Sequence, residues 1–187
     1  MKKLKIGIIG VGRLGYEHAC NIANRVPGSE LVAIADANFD RAKQVAEELG
    51  VTAVYNDPKA LCADPNVEAV AIITNTASHV EMIKIAMDAG KHVFCEKPIT
   101  VNYDLSCKMA EEAKKQGKLL NIGVCNRYHK TVEMLEEMNR RGDFGRIYHV
   151  YCSFRSHRSI PGLGGAFTDK SQSGGGVLID WGIHFLD

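Results

Sequence analysis

Three groups of residues have types and spacings that could do chemistry. Lys97 stands in Glu96-Lys97-Pro98, directly after the apolar run His92-Val93-Phe94-Cys95. An ammonium at the end of a strand can hydrogen-bond a hydroxyl and stabilise the alkoxide character that develops as hydride leaves its carbon. Lysines are common on surfaces, so it is the position and not the residue type that carries this reading. Pro98 removes a backbone donor and permits a cis bond that would fix the aim of Lys97, although a plain turn proline would read the same way. Near the end, Asp180 and His184 are four residues apart and share a face if the segment is helical. His184 could then take a hydroxyl proton as a general base with a carboxylate beside it. A structural Asp–His contact or half a metal site would have the same spacing, and because no third ligand declares itself, no metal is expected. His79, at a helix start, could touch a ligand or cap the helix. His18, His92, His129, His149 and His157 have no partner that can be named from the sequence.

The third group is Gly10-Val11-Gly12-Arg13-Leu14-Gly15, fed by the apolar run Ile6-Gly7-Ile8-Ile9 and followed by a helix-forming segment. Strand, tight turn and helix entry come in the order that a dinucleotide's pyrophosphate requires. Gly10 permits the turn, Gly12 leaves room for the phosphates and Gly15 lets the helix pack on the strand. The next strand, Leu31 to Ala35, ends in Asp36, about twenty residues past the last glycine, where a carboxylate can accept from an adenosine ribose. A glycine-rich turn beside a solvated aspartate is the plainer alternative. Under the dinucleotide reading, Lys97 projects towards the cleft that holds the nicotinamide, and a 2′-phosphate would meet the charge of Asp36, which favours NAD over NADP.

The elements that must position these groups alternate. Helical spacing over Tyr16–Arg25, Asp40–Leu49, Pro58–Ala63, Ser78–Ala89 and Asn102–Gln116 separates strands near Lys5, Glu30–Ala35, Ala53–Tyr55, Val67–Thr74, Lys91–Cys95 and Leu119–Val124. Ala69 to Ile73 is apolar throughout, as expected of a central parallel strand covered on both faces. This predicts an α/β domain with a doubly wound parallel sheet over residues 1–124, its polar clusters at the carboxyl ends of strands. A second domain is expected over 125–187, with a helix at His129–Arg140, a turn at Gly142–Gly145 and a strand at Arg146–Phe154. Gly162–Gly165 and Ser171–Gly176 read as loops.

Composition bounds the partners. Hydrophobic residues are 45% and charged ones 24% of 187, ordinary for a globular protein, and a net charge of +1 supplies no field to draw in nucleic acid or an anionic membrane. No apolar run approaches spanning length, and Met1-Lys2-Lys3 leads into a strand and not into a signal-peptide core, so a cytoplasmic location is expected. The six cysteines form no Cys-x-x-Cys pair and read as reduced thiols.

Taken together, Gly10–Gly15, Thr74 to His79 with Glu81, Ala89-Gly90-Lys91-His92-Val93, Glu96-Lys97-Pro98, Asn126-Arg127, and Gly174-Gly175-Gly176 followed by Asp180, Gly182 and His184 resemble the Gfo/Idh/MocA family of NAD(P)-dependent sugar and polyol oxidoreductases. The resemblance implies a Rossmann domain followed by an α/β domain with an open, mainly antiparallel sheet, and a catalytic set of Lys97, Asp180 and His184. It also implies a cofactor site that takes in Gly10, Gly12, Arg13, Leu14, Gly15, Asp36, Thr74, Asn75, His79, Glu96, Lys97 and Asn126. Asn75 stands where proline is often found in the motif. The expected substrate is a sugar or cyclitol secondary alcohol. NAD-dependent elimination of a glycoside and a non-catalytic NAD-binding module are the alternatives. Since family members continue well beyond the Asp-x-x-x-His segment, the second domain is expected to be incomplete and turnover impaired, with a homo-oligomer or second chain completing it. Arg155, His157 and Arg158 could contact substrate, though solvated loop residues are the simpler account.

Overall fold

The structure is a computed structural model and describes residues 2–153, 155 and 169–187. They fall into two compact units, Met1–Gly123 and Val124–Asp187.

The first unit is a six-stranded parallel sheet of order β3-β2-β1-β4-β5-β6. Its strands are β1 (Leu4–Ile9), β2 (Ser29–Ala35), β3 (Ala53–Tyr55), β4 (Ala69–Ile72), β5 (His92–Cys95) and β6 (Leu120–Ile122). Helices α1 (Arg13–Asn24), α2 (Phe39–Leu49), α3 (Pro58–Ala63), α4 (His79–Asp88) and α5 (Tyr103–Lys115) connect them. The order reverses between β1 and β4, and it is outside the carboxyl ends of strands at such a reversal that ligands bind in open α/β sheets.

The sequence places these boundaries by its caps. Asn38, Asp57 and Asn102 accept the first free amides of α2, α3 and α5, while Gly50 ends α2 in the left-handed region at φ 70°. Two apolar cores flank the sheet. Leu61, Val70, Ile72, Ile83 and Met87 fill one face, and Ile8, Val11, Ile34, Val45 and Ala71 the other. Because β4 contributes to both, all four of its residues are buried, which is why its sequence lacks the alternation of a one-sided strand. Gly7 interrupts β1 for a steric reason, since a Cβ there would lie 2.8 Å from Leu61 Cδ2. No helix among the described residues is long and apolar enough to cross a membrane.

The second unit is helical where described: a 3₁₀ turn at Cys125–Tyr128, α6 (Lys130–Arg140), α7 (Lys170–Ser173), a π-helical turn at Leu178–Gly182 and α8 (Ile183–Leu186). Two expectations change here. Residues 146–153 form no strand, although their residues alternate suitably. A strand is held by the ladder to its neighbour, and among the described residues of this unit no second strand offers one. Conversely, part of the expected loop Ser171–Gly176 is helical, because Asp169 caps Ser171 N and begins a turn that Gly174 stops at φ 80°. Gly162–Gly165, His157 and Arg158 lie outside the described residues.

Candidate cofactor and catalytic site

The glycine turn has the geometry that its spacing predicts, and the three glycines do separate jobs. Gly10 adopts φ +89°, and a Cβ there would lie 2.6 Å from Ile73 O. Gly15 packs so tightly that a Cβ would lie 2.0 Å from Gly10 O, which closes α1 onto the end of β1. At Gly12 a Cβ would meet nothing within 4 Å, so the fold leaves that space open. Gly12 is also the N-cap of α1 and supplies no side-chain cap; the first helical bond runs from Tyr16 N to Gly12 O. Amides of a first turn that lack an intrahelical partner, with the positive end of the helix dipole behind them, suit an anion. Arg13 and Leu14 are exposed on this turn.

Asp36 follows β2 and reaches back across the turn. Its Oδ2 accepts Val11 N at 2.7 Å and its Oδ1 accepts Asn38 N at 2.8 Å. Each oxygen keeps a further acceptor direction, so the carboxylate is fixed in place yet able to take a ribose hydroxyl. Arg41 braces the same corner, donating from Nε to Val11 O at 3.1 Å with its guanidinium 5.1 Å above the Tyr16 ring. An uncapped first turn, an open space in front of Gly12 and a pinned acidic acceptor together fit a dinucleotide.

At the ends of β4 and β5 the polar residues bond mainly to one another. Ser78 Oγ donates to Thr74 Oγ1 at 2.8 Å, and Asn75 Oδ1 accepts Ser78 N at 3.2 Å, so Asn75 caps the short 3₁₀ turn Thr76–Ser78 that leads into α4. His79 is 1% exposed. Its Nδ1 lies 2.7 Å from Pro98 O and its Nε2 3.2 Å from Thr74 O, so the ring joins the loop after β4 to the loop after β5 and does not face open space. The Lys97–Pro98 bond is cis. Lys97 is half-buried, and its N–H donates to Glu96 Oε2 at 3.1 Å. Glu96 Oε1 accepts His18 Nε2 at 3.0 Å. His18 was not identifiable as a site residue in the sequence, because its partner is 78 positions away. The signal that could have found it is its place one turn past Gly15, on the helix that must pass the ends of β4 and β5.

In the second unit, Asp180 lies in the π-helical turn and His184 in α8, which continues it. The Trp181 ring meets the His184 ring edge-on, centroids 5.9 Å apart, and His184 Nδ1 is buried. Asn126 Nδ2 donates to His184 O at 3.0 Å, so in this unit Asn126 ties the 3₁₀ turn to α8. Its neighbour Arg127 pairs with Asp187, Nε donating to Oδ2 at 2.5 Å. That contact raises the pKa of the guanidinium and holds the Asp187 carboxyl below its ordinary range. Among the described residues no three His, Cys, Asp or Glu side chains could hold a metal ion.

Residues 4–124 match the Gfo/Idh/MocA oxidoreductase family, NAD-binding Rossmann fold, and residues 132–187 match the Gfo/Idh/MocA C-terminal domain. Among similar proteins, myo-inositol 2-dehydrogenase of Thermotoga maritima is 35% identical over 184 residues, covering 98% of this chain and 53% of the relative. D-glucoside 3-dehydrogenase of Escherichia coli is 34% identical over 185 residues, with 98% and 52% covered. Scyllo-inositol dehydrogenase of Lactobacillus casei, solved with NAD(H) and scyllo-inositol, superposes with a TM-score of 0.72 at 30% identity, covering 77% of this chain and 43% of that one. The chain spans about half the length of the relatives it matches.

Proposed function

The chain belongs to the Gfo/Idh/MocA family of oxidoreductases, and on that premise we propose that it moves hydride between a secondary alcohol of a sugar or cyclitol and NAD. The observation that carries the cofactor half is the glycine turn, where only Gly12 keeps its side-chain space clear while Asp36 is pinned beside it. The turn's amides and the dipole of α1 hold the pyrophosphate, and Asp36 accepts from the adenosine ribose. When bound, NAD supplies a hydride acceptor.

The substrate half falls to three side chains. Lys97 donates to the reacting hydroxyl and favours its alkoxide character, so that the carbon releases hydride more easily. His184 takes the hydroxyl proton, with the Asp180 carboxylate stabilising the imidazolium that results. The two relatives' names, one an inositol and the other a glucoside dehydrogenase, support a polyhydroxylated ring as the substrate class.

Isothermal titration with NAD tests the first half. Absorbance of reduced nicotinamide over a panel of inositols and glycosides tests the second. Saturable NAD binding and polyol-dependent reduction are expected, and Lys97→Ala should lower turnover by about a hundredfold or more, as loss of a positioned acid–base group does. Glycoside release without net reduction would assign elimination instead. Turnover untouched by Lys97→Ala would remove Lys97 from the chemistry.

A further inference from the structure

The chemistry proposed above uses the Lys97 side chain, but its aim is set by the peptide that carries it. That peptide is held from outside its own loop. The Glu96 carboxylate is the link: Oε2 accepts Lys97 N at 3.1 Å and Oε1 accepts His18 Nε2 at 3.0 Å. His18 lies on α1, the helix that begins at the glycine turn. Both side chains of the pair are largely withdrawn from solvent, 26% exposed for His18 and 13% for Glu96, and the imidazole leans on the Phe94 ring of β5 with centroids 5.6 Å apart. This separates the pair from a solvated surface contact, which would hold neither partner in one geometry.

A second observation shows that the carboxylate occupies a fitted slot. Gly123, just past β6, leaves the room for it: a Cβ there would lie 2.8 Å from Glu96 Oε1 and 3.1 Å from its Cδ. Three segments far apart in sequence thus converge on one carboxylate, whose remaining oxygen fixes the Lys97 amide. On the other side of Lys97, Pro98 O is taken by His79 Nδ1 at 2.7 Å, so the dipeptide is gripped at both ends.

We propose that His18 is a positioning residue for Lys97, tying the helix of the glycine turn to the Lys97 peptide through the Glu96 carboxylate. The role that this serves, aiming an ammonium at a reacting hydroxyl, rests on the function proposed above; the tie itself does not. His18 donates from Nε2 and touches neither substrate nor cofactor in this role. Its loss lets Glu96 swing, frees the Lys97 amide and spreads the positions that the ammonium can take. A loss of aim of about an ångström is enough to slow a reaction roughly a hundredfold.

Three variants of the full chain test it. His18→Leu removes the donor, His18→Gln puts an amide N–H near the place of Nε2, and Gly123→Ala displaces the carboxylate with His18 intact. The readouts are exchange of the Lys97 amide followed by NMR, and kcat and KM for the polyol. Exchange of that amide should quicken at least about tenfold in His18→Leu and Gly123→Ala and return to within about threefold of wild type in His18→Gln. kcat should fall about tenfold or more in the first two variants and recover in the third. An unchanged Lys97 amide in His18→Leu, or a His18→Gln variant as impaired as His18→Leu, would overturn the proposal. If the wild-type chain reduces no NAD with any polyol, the proposed function falls, and amide exchange alone still decides whether His18 holds Lys97.

Discussion

At the scale of single residues, the glycine turn separates two kinds of necessity that its spacing presents as one. Gly15 is needed by the fold: a Cβ 2.0 Å from Gly10 O cannot be accommodated without moving backbone, so Gly15→Ala should lower unfolding free energy by about 2 kcal/mol or more in urea titrations. Gly12, on the proposed reading, is needed by the cofactor. Its Cβ would meet nothing within 4 Å, so Gly12→Ala should unfold within about 1 kcal/mol of wild type yet bind NAD about tenfold or more weakly by calorimetry. Equal losses of stability in both variants would mean that Gly12 serves packing as well. The thiols divide on similar grounds. Burial pushes the Cys62 thiol up to about 11 and Cys95 higher still, whereas Cys125 and Cys152 are exposed. Native protein treated with iodoacetamide should therefore be labelled at Cys125 and Cys152 well before Cys62 and Cys95, as peptide masses would show.

At the scale of elements, what holds the crossovers is a set of polar ties at helix ends. Asp64, at the end of α3, accepts Asn66 N at 2.8 Å and the Tyr55 hydroxyl of β3 at 3.0 Å, while Lys91 Nζ, beside β5, donates to Asp64 O at 2.9 Å and Val67 O at 2.7 Å. The Asn66 amide, with help from Tyr55, holds the Asp64 carboxyl below its ordinary 3.8, and burial, then Asp64, raises the Tyr55 phenol above 10.0. The two shifts act at opposite ends of the pH scale. A carboxyl lowered on folding stabilises above its unfolded value and loses that contribution as pH falls through the lowered one; a phenol raised on folding stabilises below its unfolded value and loses that as pH rises through the raised one. The stability difference between wild type and Tyr55→Phe should thus be flat from about pH 5 to 9 and shrink on both sides, measured by urea unfolding in a buffer series. In α4 the tie is apolar: Ile83 is fully buried, and Ile83→Ala should cost about 2–5 kcal/mol, loosening the helix that carries His79.

At the scale of the whole chain, the two units differ in what they bury. The first has an apolar core on each face of its sheet, whereas from residue 125 onward none of the described residues is buried. Amide exchange should therefore be slowest in β1, β4 and β5 and faster by several orders of magnitude in α6 and α8, since local opening costs least where few apolar contacts are lost. Uniform protection would contradict this. The alternation of strand and helix, the doubly wound parallel class of the sheet and the glycine turn were legible in the sequence, because each is written in local periodicity, caps and backbone freedom within a few neighbouring residues, whereas the order of the strands came from the structure. The same local logic failed at residues 146–153, whose alternation describes a strand's faces but cannot provide the neighbour that a strand needs. Distance along the chain hid the rest. His18 and Glu96 are 78 positions apart and Gly123 is beyond both, and no local pattern marks a histidine whose partner is a carboxylate just past the fifth strand. The sequence by itself determined which residues turn, cap and fill the sheet. Only the tertiary structure decided how the polar residues at its carboxyl edge are held, His79 by the carbonyls of Pro98 and Thr74 and Glu96 by His18 and the Lys97 amide, and which space in front of the glycine turn stays open, because both are settled by where groups meet after the crossovers close.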